Sequence, residues 1–161
     1  MINWKSSYIN YEIRLRPLEE SDVDTALVWY QNIRVLRCAF DARINQPFDR
    51  ETLFHLYEYY KSMGELYIIE IQDNKSWFAI GDALVSPKTL PLMIGIEEFW
   101  GKGIGKRVLR KMILRAEELG YKKLFTKGIS RTNLRSIKLF TSAGFKVYHK
   151  NKKEVKMVID L

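Results

Sequence analysis

Three glycines alternate with other residues at Gly101, Gly103 and Gly105, and Lys102 and Lys106 stand beside them. Glycine adopts positive φ angles and lets the backbone come close to a ligand. The free N–H groups in the first turn of a helix, together with the helix dipole, bind anions. Such a turn at the start of a helix therefore predicts a site for a phosphate or pyrophosphate, to which the two lysines add positive charge.

Two common phosphate-binding loops do not match this glycine turn. A Walker loop has glycine five positions before the glycine of its Gly-Lys pair and Ser or Thr after the lysine, where this chain has Trp100 and Arg107. A dinucleotide-binding fingerprint has a third glycine where this chain has Lys106. P-loop nucleotide hydrolases and Rossmann dehydrogenases are therefore excluded.

The elements on either side of the turn would hold it in place. A buried strand is predicted over residues 90–96, and an amphipathic helix is predicted from Ile104, with apolar residues that recur at helical spacing as far as Ala116. Gly120 stands where the C-terminal cap of this helix belongs. The sequence therefore predicts a strand, a phosphate-binding turn and a helix in direct succession.

The remaining pattern predicts an α+β domain. Closely spaced strands joined by short turns favour antiparallel pairing. Because the chain has no repeat or linker, residues 1–161 are interpreted as one domain, with Ser21 as the expected cap of the first helix. Further strands are predicted over residues 11–16, 65–71, 76–85, 123–129, 145–148 and 154–159, and helices over residues 19–31, 49–61 and 133–142.

The composition indicates a chain that folds without a metal or a disulfide. Of its 161 residues 47% are hydrophobic, which is enough for a full core. The one cysteine, Cys38, lies among apolar residues and is predicted to be a small buried side chain. Because the chain has only this cysteine and two histidines, no metal site is expected. No signal-peptide core and no membrane-length apolar run is present, which predicts a reducing, cytoplasmic location.

The net charge of +8 is unevenly distributed along the chain. Residues 1–90 carry 10 basic and 13 acidic side chains, whereas residues 91–161 carry 17 and 6. A basic half attracts a polyanion, which could be nucleic acid, a membrane surface or a phosphorylated cofactor. The lysines are spread over several elements without a DNA-binding motif, so we expect a cofactor, and neither nucleic acid nor a membrane, as the partner.

The glycine turn resembles the coenzyme A turn of the GNAT N-acetyltransferases, whose core pattern is Arg/Gln-x-x-Gly-x-Gly/Ala. Gly103 and Gly105 fit this pattern, while Trp100 replaces Arg or Gln, as in relatives of the ribosomal-protein acetyltransferase branch. Residues 133–145 resemble the family's second signature, in which Asn opens a helix that ends in Gly-Phe. The chain is identified as a member of this family, with the firmest resemblance over residues 90–145.

The resemblance implies a GNAT fold, with a mixed, mostly antiparallel sheet that splays between its fourth and fifth strands and about four helices around it. It also implies acetyl-CoA as cosubstrate, held mainly by residues 91–145, with the acceptor bound mainly by residues 1–90. The pantetheine arm would bond the edge of the fourth strand, and the glycine turn would wrap the pyrophosphate. The residues that the resemblance assigns to the cofactor are Met93, Ile94, Gly95, Trp100, Gly101, Lys102, Gly103, Ile104, Gly105, Lys106, Asn133 and Ser136.

The resemblance further implies that a neutral amine attacks the thioester directly, so a carboxylate is expected to take the proton of the amine. Glu97, at the end of the strand before the turn, is the predicted base, and Glu70 and Asp82 are lesser candidates. The family often has a tyrosine at the position of Phe140 to protonate the leaving thiolate, and phenylalanine has no proton to give. The other proton sources considered are Tyr121, Tyr148 and solvent.

The expected acceptor is the primary amine of a small molecule or of a protein N-terminus. Acidic and aromatic side chains in the N-terminal half suit a cationic amine through ion pairs and cation–π contacts. Two alternatives remain open: an enzyme like the aminoglycoside 6′-N-acetyltransferases, and a coenzyme A-binding protein with weak catalysis. A homodimer is compatible with each of them. The side chains predicted to line the acceptor site are Trp29, Tyr30, Phe40, Tyr59, Tyr60, Asp41, Asp49 and Glu58.

Overall fold

Two antiparallel sheets form the centre of the structure, a computed structural model that describes residues 11–161. The first sheet has the strand order β1-β2-β3-β4. In the second sheet, β8 pairs with β5 and then β6 along one edge and with β7 along the other. The strands are β1 (Ile13–Pro17), β2 (Glu65–Asp73), β3 (Ser76–Val85), β4 (Leu92–Ile94), β5 (Lys123–Phe125), β6 (Ile129–Ser130), β7 (Lys146–Lys150) and β8 (Glu154–Asp160).

Within residues 11–161, five α-helices pack around the sheets, and one of them was not predicted. The side chain of Asn32 begins α2 by accepting a hydrogen bond from the N–H of Arg34 at 3.0 Å. Ser21 does not cap α1 with its side chain; instead the carboxylate of Asp22 accepts from the N–H of Glu19 at 2.7 Å. The helices are α1 (Asp22–Tyr30), α2 (Ile33–Ala39), α3 (Arg50–Met63), α4 (Ile104–Glu118) and α5 (Leu134–Ser142), and Glu97–Phe99 form a 3₁₀ turn.

The first sheet is covered on both faces, because neighbouring strand residues point to opposite sides. Ile68 of β2 packs in the core formed with α1, α2 and α3. The adjacent Ile69 packs in a second core with Val108 and Met112 of α4 and with the second sheet. Both isoleucines are at most 1% exposed. This double burial fixes β2 between two cores, and β3 pairs with β2 on one side and with β4 on the other.

The two sheets separate between β4 and β5, as the fold prediction requires. Within residues 11–161, β4 pairs with β3 on one side and with no strand on the other, while β5 pairs with β8. The predicted α+β class with a splayed sheet is therefore confirmed. None of the helices in the described range combines the length and the apolar character needed to cross a bilayer.

The strand predicted over residues 123–129 is interrupted, which corrects the sequence interpretation. The chain leaves regular pairing after Phe125, where the Thr126 hydroxyl accepts from the N–H of Met157 at 3.0 Å. A side chain thus takes the place of a backbone carbonyl in the ladder. Pairing resumes only at β6, and residues 126–128 border the gap between the sheets.

Candidate active site

Two adjoining cavities open where the sheets diverge. The glycine groove, of about 680 Å³, lies between β4, the start of α4 and α5. The inner cavity, of about 290 Å³, lies between β3, α2 and the interrupted strand. The cavities meet, because both are lined by Cys38, Ala39, Leu92, Met93, Thr132, Asn133 and Ser136.

The glycine turn forms one wall of the glycine groove. Gly101 and Gly103 have φ angles of 70° and 79°, and no atom lies within 4 Å of the position that a Cβ would take at either residue. The first backbone bond at this end of α4 runs from the N–H of Arg107 to the carbonyl of Gly103, at 3.3 Å. The amides of Ile104, Gly105 and Lys106 therefore have no intrahelical partner and are available to an anion.

The charges around the glycine groove are positive. The charged side chains among the described residues that line it are Lys106, Arg135 and Lys138, and none of them is a carboxylate. The guanidinium of Arg135 lies 4.8 Å from the ring centroid of Trp100. Cations beside free helix-terminal amides suit a ligand with several phosphate groups.

The open edge of β4 forms the other wall. The N–H of Leu84 bonds the carbonyl of Pro91 at 3.0 Å, and the N–H of Gly95 bonds the carbonyl of Ile80 at 2.7 Å. Because hydrogen-bonded pairs alternate along an antiparallel ladder, Met93 also faces β3, while Leu92 and Ile94 direct their backbone groups to the gap. This register favours Leu92 and Ile94 over Met93 and Gly95 as backbone partners for a ligand.

Trp100 joins the strand to the turn. Its indole N–H donates to the carbonyl of Ile94 at 2.8 Å, so this carbonyl is already occupied. The N–H of Ile94 remains the polar group of that residue that faces the gap. The tryptophan that replaces the usual Arg or Gln thus fixes the end of β4 relative to the glycine turn.

A buried carboxylate, Asp82 of β3, lines the inner cavity. The hydroxyls of Tyr30 and Tyr57 donate to its Oδ2 atom at 2.8 and 2.6 Å. Burial raises the pKa of Asp82 to about 6, although the two hydrogen bonds and the charge of Lys127 oppose the rise. An acid with a pKa near neutrality can take and release a proton under physiological conditions.

Lys127 faces Asp82 from the interrupted strand. Its ammonium lies 4.4 Å from the ring centroid of Phe40, and both residues line the inner cavity. Lys127 as a whole residue is exposed to solvent, but protein atoms crowd its ammonium, and this partial burial lowers the pKa of Lys127. The cavity therefore contains one acid and one base whose charged forms are both destabilised by burial.

The predicted base, Glu97, lies in the 3₁₀ turn and lines neither cavity. Its carboxylate accepts from Asn32 at 3.0 Å and pairs with Arg34 at 3.1 Å, so it links α2 to the end of β4. Glu70 also lines neither cavity, because Arg14 and Arg16 bind its two oxygens at 2.6 and 2.9 Å. Of the three carboxylates considered as the base, only Asp82 lines a cavity.

The second signature borders both cavities. The Oδ1 atom of Asn133 caps α5 by accepting from the N–H of Ser136 at 3.2 Å, and its Nδ2 donates to the carbonyl of Cys38 at 3.0 Å. Its side chain therefore ties α5 to the end of α2. Of the predicted cofactor residues, Gly95 and Lys102 alone line neither cavity.

The predicted acceptor residues divide between the inner cavity and other places. Trp29 is excluded from the cavity because its ring occupies the space beside Gly95, where a Cβ would lie 2.2 Å from it. Phe140 lines the inner cavity, whereas Tyr121 and Tyr148 do not. The structure brings Tyr30, Phe40, Asp41 and Tyr60 to the inner cavity and leaves Trp29, Tyr59, Asp49 and Glu58 outside it.

The prediction that Cys38 is buried is wrong. The unpredicted helix α2 presents it to solvent, where it lines both cavities. Sequence reasoning also missed Arg37 and Lys127, and the only signal for them was the basic character of the chain. In the described range no three side chains of His, Cys, Asp or Glu come together as metal ligands would.

A comparison with models of known protein families identifies the family of this chain. The model of the acetyltransferase (GNAT) domain matches residues 12–146. The chain therefore belongs to the GNAT acetyltransferase family, as its two signatures predicted. An uncharacterized protein of Methanocaldococcus jannaschii is 26% identical over 140 residues, which are 84% of this chain. The chain spans only 28% of the length of that relative.

Solved structures share the same fold. A domain from Methanocaldococcus jannaschii has a TM-score of 0.80 at 26% identity and covers 94% of this chain and 100% of its own. Spermidine N-acetyltransferase from Vibrio cholerae, solved with CoA and spermine, has a TM-score of 0.70 at 17% identity and covers 92% and 95%. An aminoglycoside acetyltransferase solved with coenzyme A and kanamycin has the same TM-score, identity and coverage.

Proposed function

We propose that this chain is an acetyl-CoA-dependent N-acetyltransferase that acts on a primary amine of a small molecule or of a protein N-terminus by direct attack. One observation carries the proposal. The glycine groove, with free helix-terminal amides and an open strand edge, opens into a cavity that holds a carboxylate with a pKa of about 6. The glycine groove suits the coenzyme, and the cavity with its carboxylate suits an amine that must lose a proton.

The residues of the glycine groove fit coenzyme A. The amides of Ile104, Gly105 and Lys106 and the cations Lys106, Arg135 and Lys138 would bind its phosphates, and the N–H of Ile94 would bond its pantetheine arm. The open space beside Gly101 and Gly103 gives a phosphate access to the backbone. The coenzyme supplies an activated thioester, whose carbonyl carbon accepts the amine.

Asp82 is the base that the geometry supports best, with Glu97 as the sequence-based alternative. The amine nitrogen forms a bond to the acetyl carbon, its proton passes to Asp82, and the carbon–sulfur bond breaks. Both tyrosines donate to Oδ2 of Asp82, so neither occupies Oδ1. Because Phe140 cannot donate a proton and a free thiol has a pKa of about 8.5, solvent protonates the leaving thiolate.

A spectrophotometric assay of thiol release from acetyl-CoA, run with a panel of primary amines, tests the function. We expect saturable thiol release with at least one amine and an equal amount of acetylated amine by mass spectrometry. Binding of the coenzyme without thiol release from any amine would instead support the weakly catalytic alternative. Efficient turnover of kanamycin alone would support the aminoglycoside alternative.

Tyr57→Phe tests the role of Asp82 without changing a residue that lines the cavity. The hydroxyl of Tyr57 lowers the pKa of Asp82, so its loss should raise that pKa further. The base acts when deprotonated, so kcat/KM should rise with pH through this pKa. The variant should therefore be several-fold slower near pH 6 and equal to wild type near pH 9, in a pH series of initial rates.

Tyr59→Phe is the matched control, because Tyr59 lies on the same helix with its side chain exposed and lines neither cavity. Its pH profile should coincide with that of wild type. A Tyr57→Phe profile that also coincides with wild type would show that Asp82 does not set the acidic limb.

A further inference from the structure

The carboxylates that line the inner cavity already have partners. Asp41 accepts from Nη2 and Nε of Arg43 at 2.8 and 3.0 Å. Asp82 accepts from two tyrosine hydroxyls. No other Asp or Glu of the described residues lines this cavity. Arg43 compensates the charge of Asp41, so an acceptor with several positive charges would find only one carboxylate there that is not paired with a cation, Asp82.

The cations that line the same cavity have no such partners. Arg37 donates its Nε–H to the carbonyl of Ile44 at 2.8 Å, and its terminal nitrogens pair with no carboxylate in residues 11–161. Lys127 is attracted by Asp82 but forms no ion pair within that part of the chain, and its ammonium lies over the ring of Phe40. A cation–π contact of this kind is weak and leaves the ammonium able to bind an anion.

The fold holds Lys127 in this position. The ladder is interrupted at Thr126, so the next residue turns into the gap between the sheets. The adjacent Gly128 lies against the carboxylate of Glu154, where a Cβ would be 1.9 Å from Oε2. The backbone is thus fixed on both sides of Lys127, so its side chain starts at the border of the gap.

We propose that the inner cavity selects amines that carry an oxyanion, a carboxylate or a phosphate ester, with Lys127 and Arg37 as its binding partners. This inference rests on the proposed acetyltransferase function and specifies its substrate class. The amine of the acceptor faces Asp82 while its oxyanion faces Lys127. The cavity volume of about 290 Å³ suits a small acceptor, and the rings of Phe40, Tyr60 and Phe140 suit an apolar body.

The test compares kcat/KM for matched amines that differ in one charge. One arm pairs methionine and phenylalanine with their amides, a second pairs glucosamine 6-phosphate with glucosamine, and spermidine represents polycations. Wild type should prefer the oxyanion member of at least one arm by roughly ten- to a hundredfold, as one charge-assisted hydrogen bond would provide. The arm with the preference identifies the oxyanion as carboxylate or phosphate.

Lys127→Met should reduce this preference to near unity, and Lys127→Arg should restore most of it. Lys111→Met is the control, since Lys111 is exposed on α4 and lines neither cavity. A general effect on Asp82 or on folding would lower the rates of both members of a pair and leave their ratio unchanged. The ratio therefore reports recognition of the oxyanion.

Four results would overturn the inference without removing coenzyme binding. Equal efficiency within every pair, preference for spermidine, or an unchanged ratio in Lys127→Met would each reject oxyanion recognition in an active enzyme. A protein that binds acetyl-CoA but acetylates no member of the panel would reject it as well. Absence of coenzyme binding would remove the proposed function and this inference together.

Discussion

Asp82→Asn is expected to lower kcat by roughly 10²–10⁴-fold, the range that a positioned general base contributes. The carboxamide has nearly the same shape, and its oxygen can still accept from Tyr30 and Tyr57, so the fold should persist. The carboxamide of the variant, however, cannot take a proton from the amine. Affinity for acetyl-CoA should remain within a few-fold of wild type, because Asp82 does not line the glycine groove.

Glu97→Gln distinguishes the two candidate bases. Glu97 pairs with Arg34 outside both cavities, so this change should alter stability slightly and kcat by less than about tenfold. Stopped-time assays of acetylated product for both variants, together with calorimetric titration of the coenzyme, measure these effects. A large loss in Glu97→Gln with near-normal activity in Asp82→Asn would return the role of base to Glu97.

Gly103→Val is expected to weaken acetyl-CoA binding by roughly a hundredfold or more. A β-branched residue at a φ of 79° is strained by about 1–2 kcal/mol, and the turn relieves this strain by moving. The movement would displace the free amides at the start of α4. Loss of one or two charge-assisted hydrogen bonds, each about 1.5–3 kcal/mol, accounts for the effect.

Gly120→Val is a matched control at the other end of the same helix. Gly120 has a φ of 78° and no atom within 4 Å of a Cβ position, so its backbone strain should be equal. Both variants should lose similar thermal stability, but only Gly103→Val should lose the coenzyme. Equal affinity in the two variants, measured by calorimetry, would show that the glycine turn does not bind the phosphates.

The features that were predictable from the sequence are those set by local rules. The glycine turn, the helix after it and the cap at Asn133 each depend on a few adjacent residue types, and all three elements were found where expected. The splay between β4 and β5 followed from family resemblance. By contrast, α2 is only seven residues long and carries two arginines and a cysteine, so its apolar periodicity was too short to recognise.

The features that the sequence did not reveal depend on contacts between distant segments. Asp82 and Glu97 are both carboxylates near the end of a strand, and only the position of Tyr30, Tyr57 and Arg34 separates the buried one from the paired one. The position of Lys127 in the cavity was not predicted, because the sequence pattern indicated an uninterrupted strand over residues 123–129. Its orientation results from a side-chain hydroxyl in the ladder, which no periodicity can show.

Hydrogen–deuterium exchange with and without coenzyme A tests most directly the claim that backbone amides hold the cofactor. The peptide segment covering residues 94–107 should exchange more slowly when the coenzyme is bound, because the N–H of Ile94 and the amides of the glycine turn gain acceptors. The β2–β3 turn, which lies away from both cavities, should be unchanged. Unaltered exchange across residues 94–107 at saturating coenzyme would contradict the account.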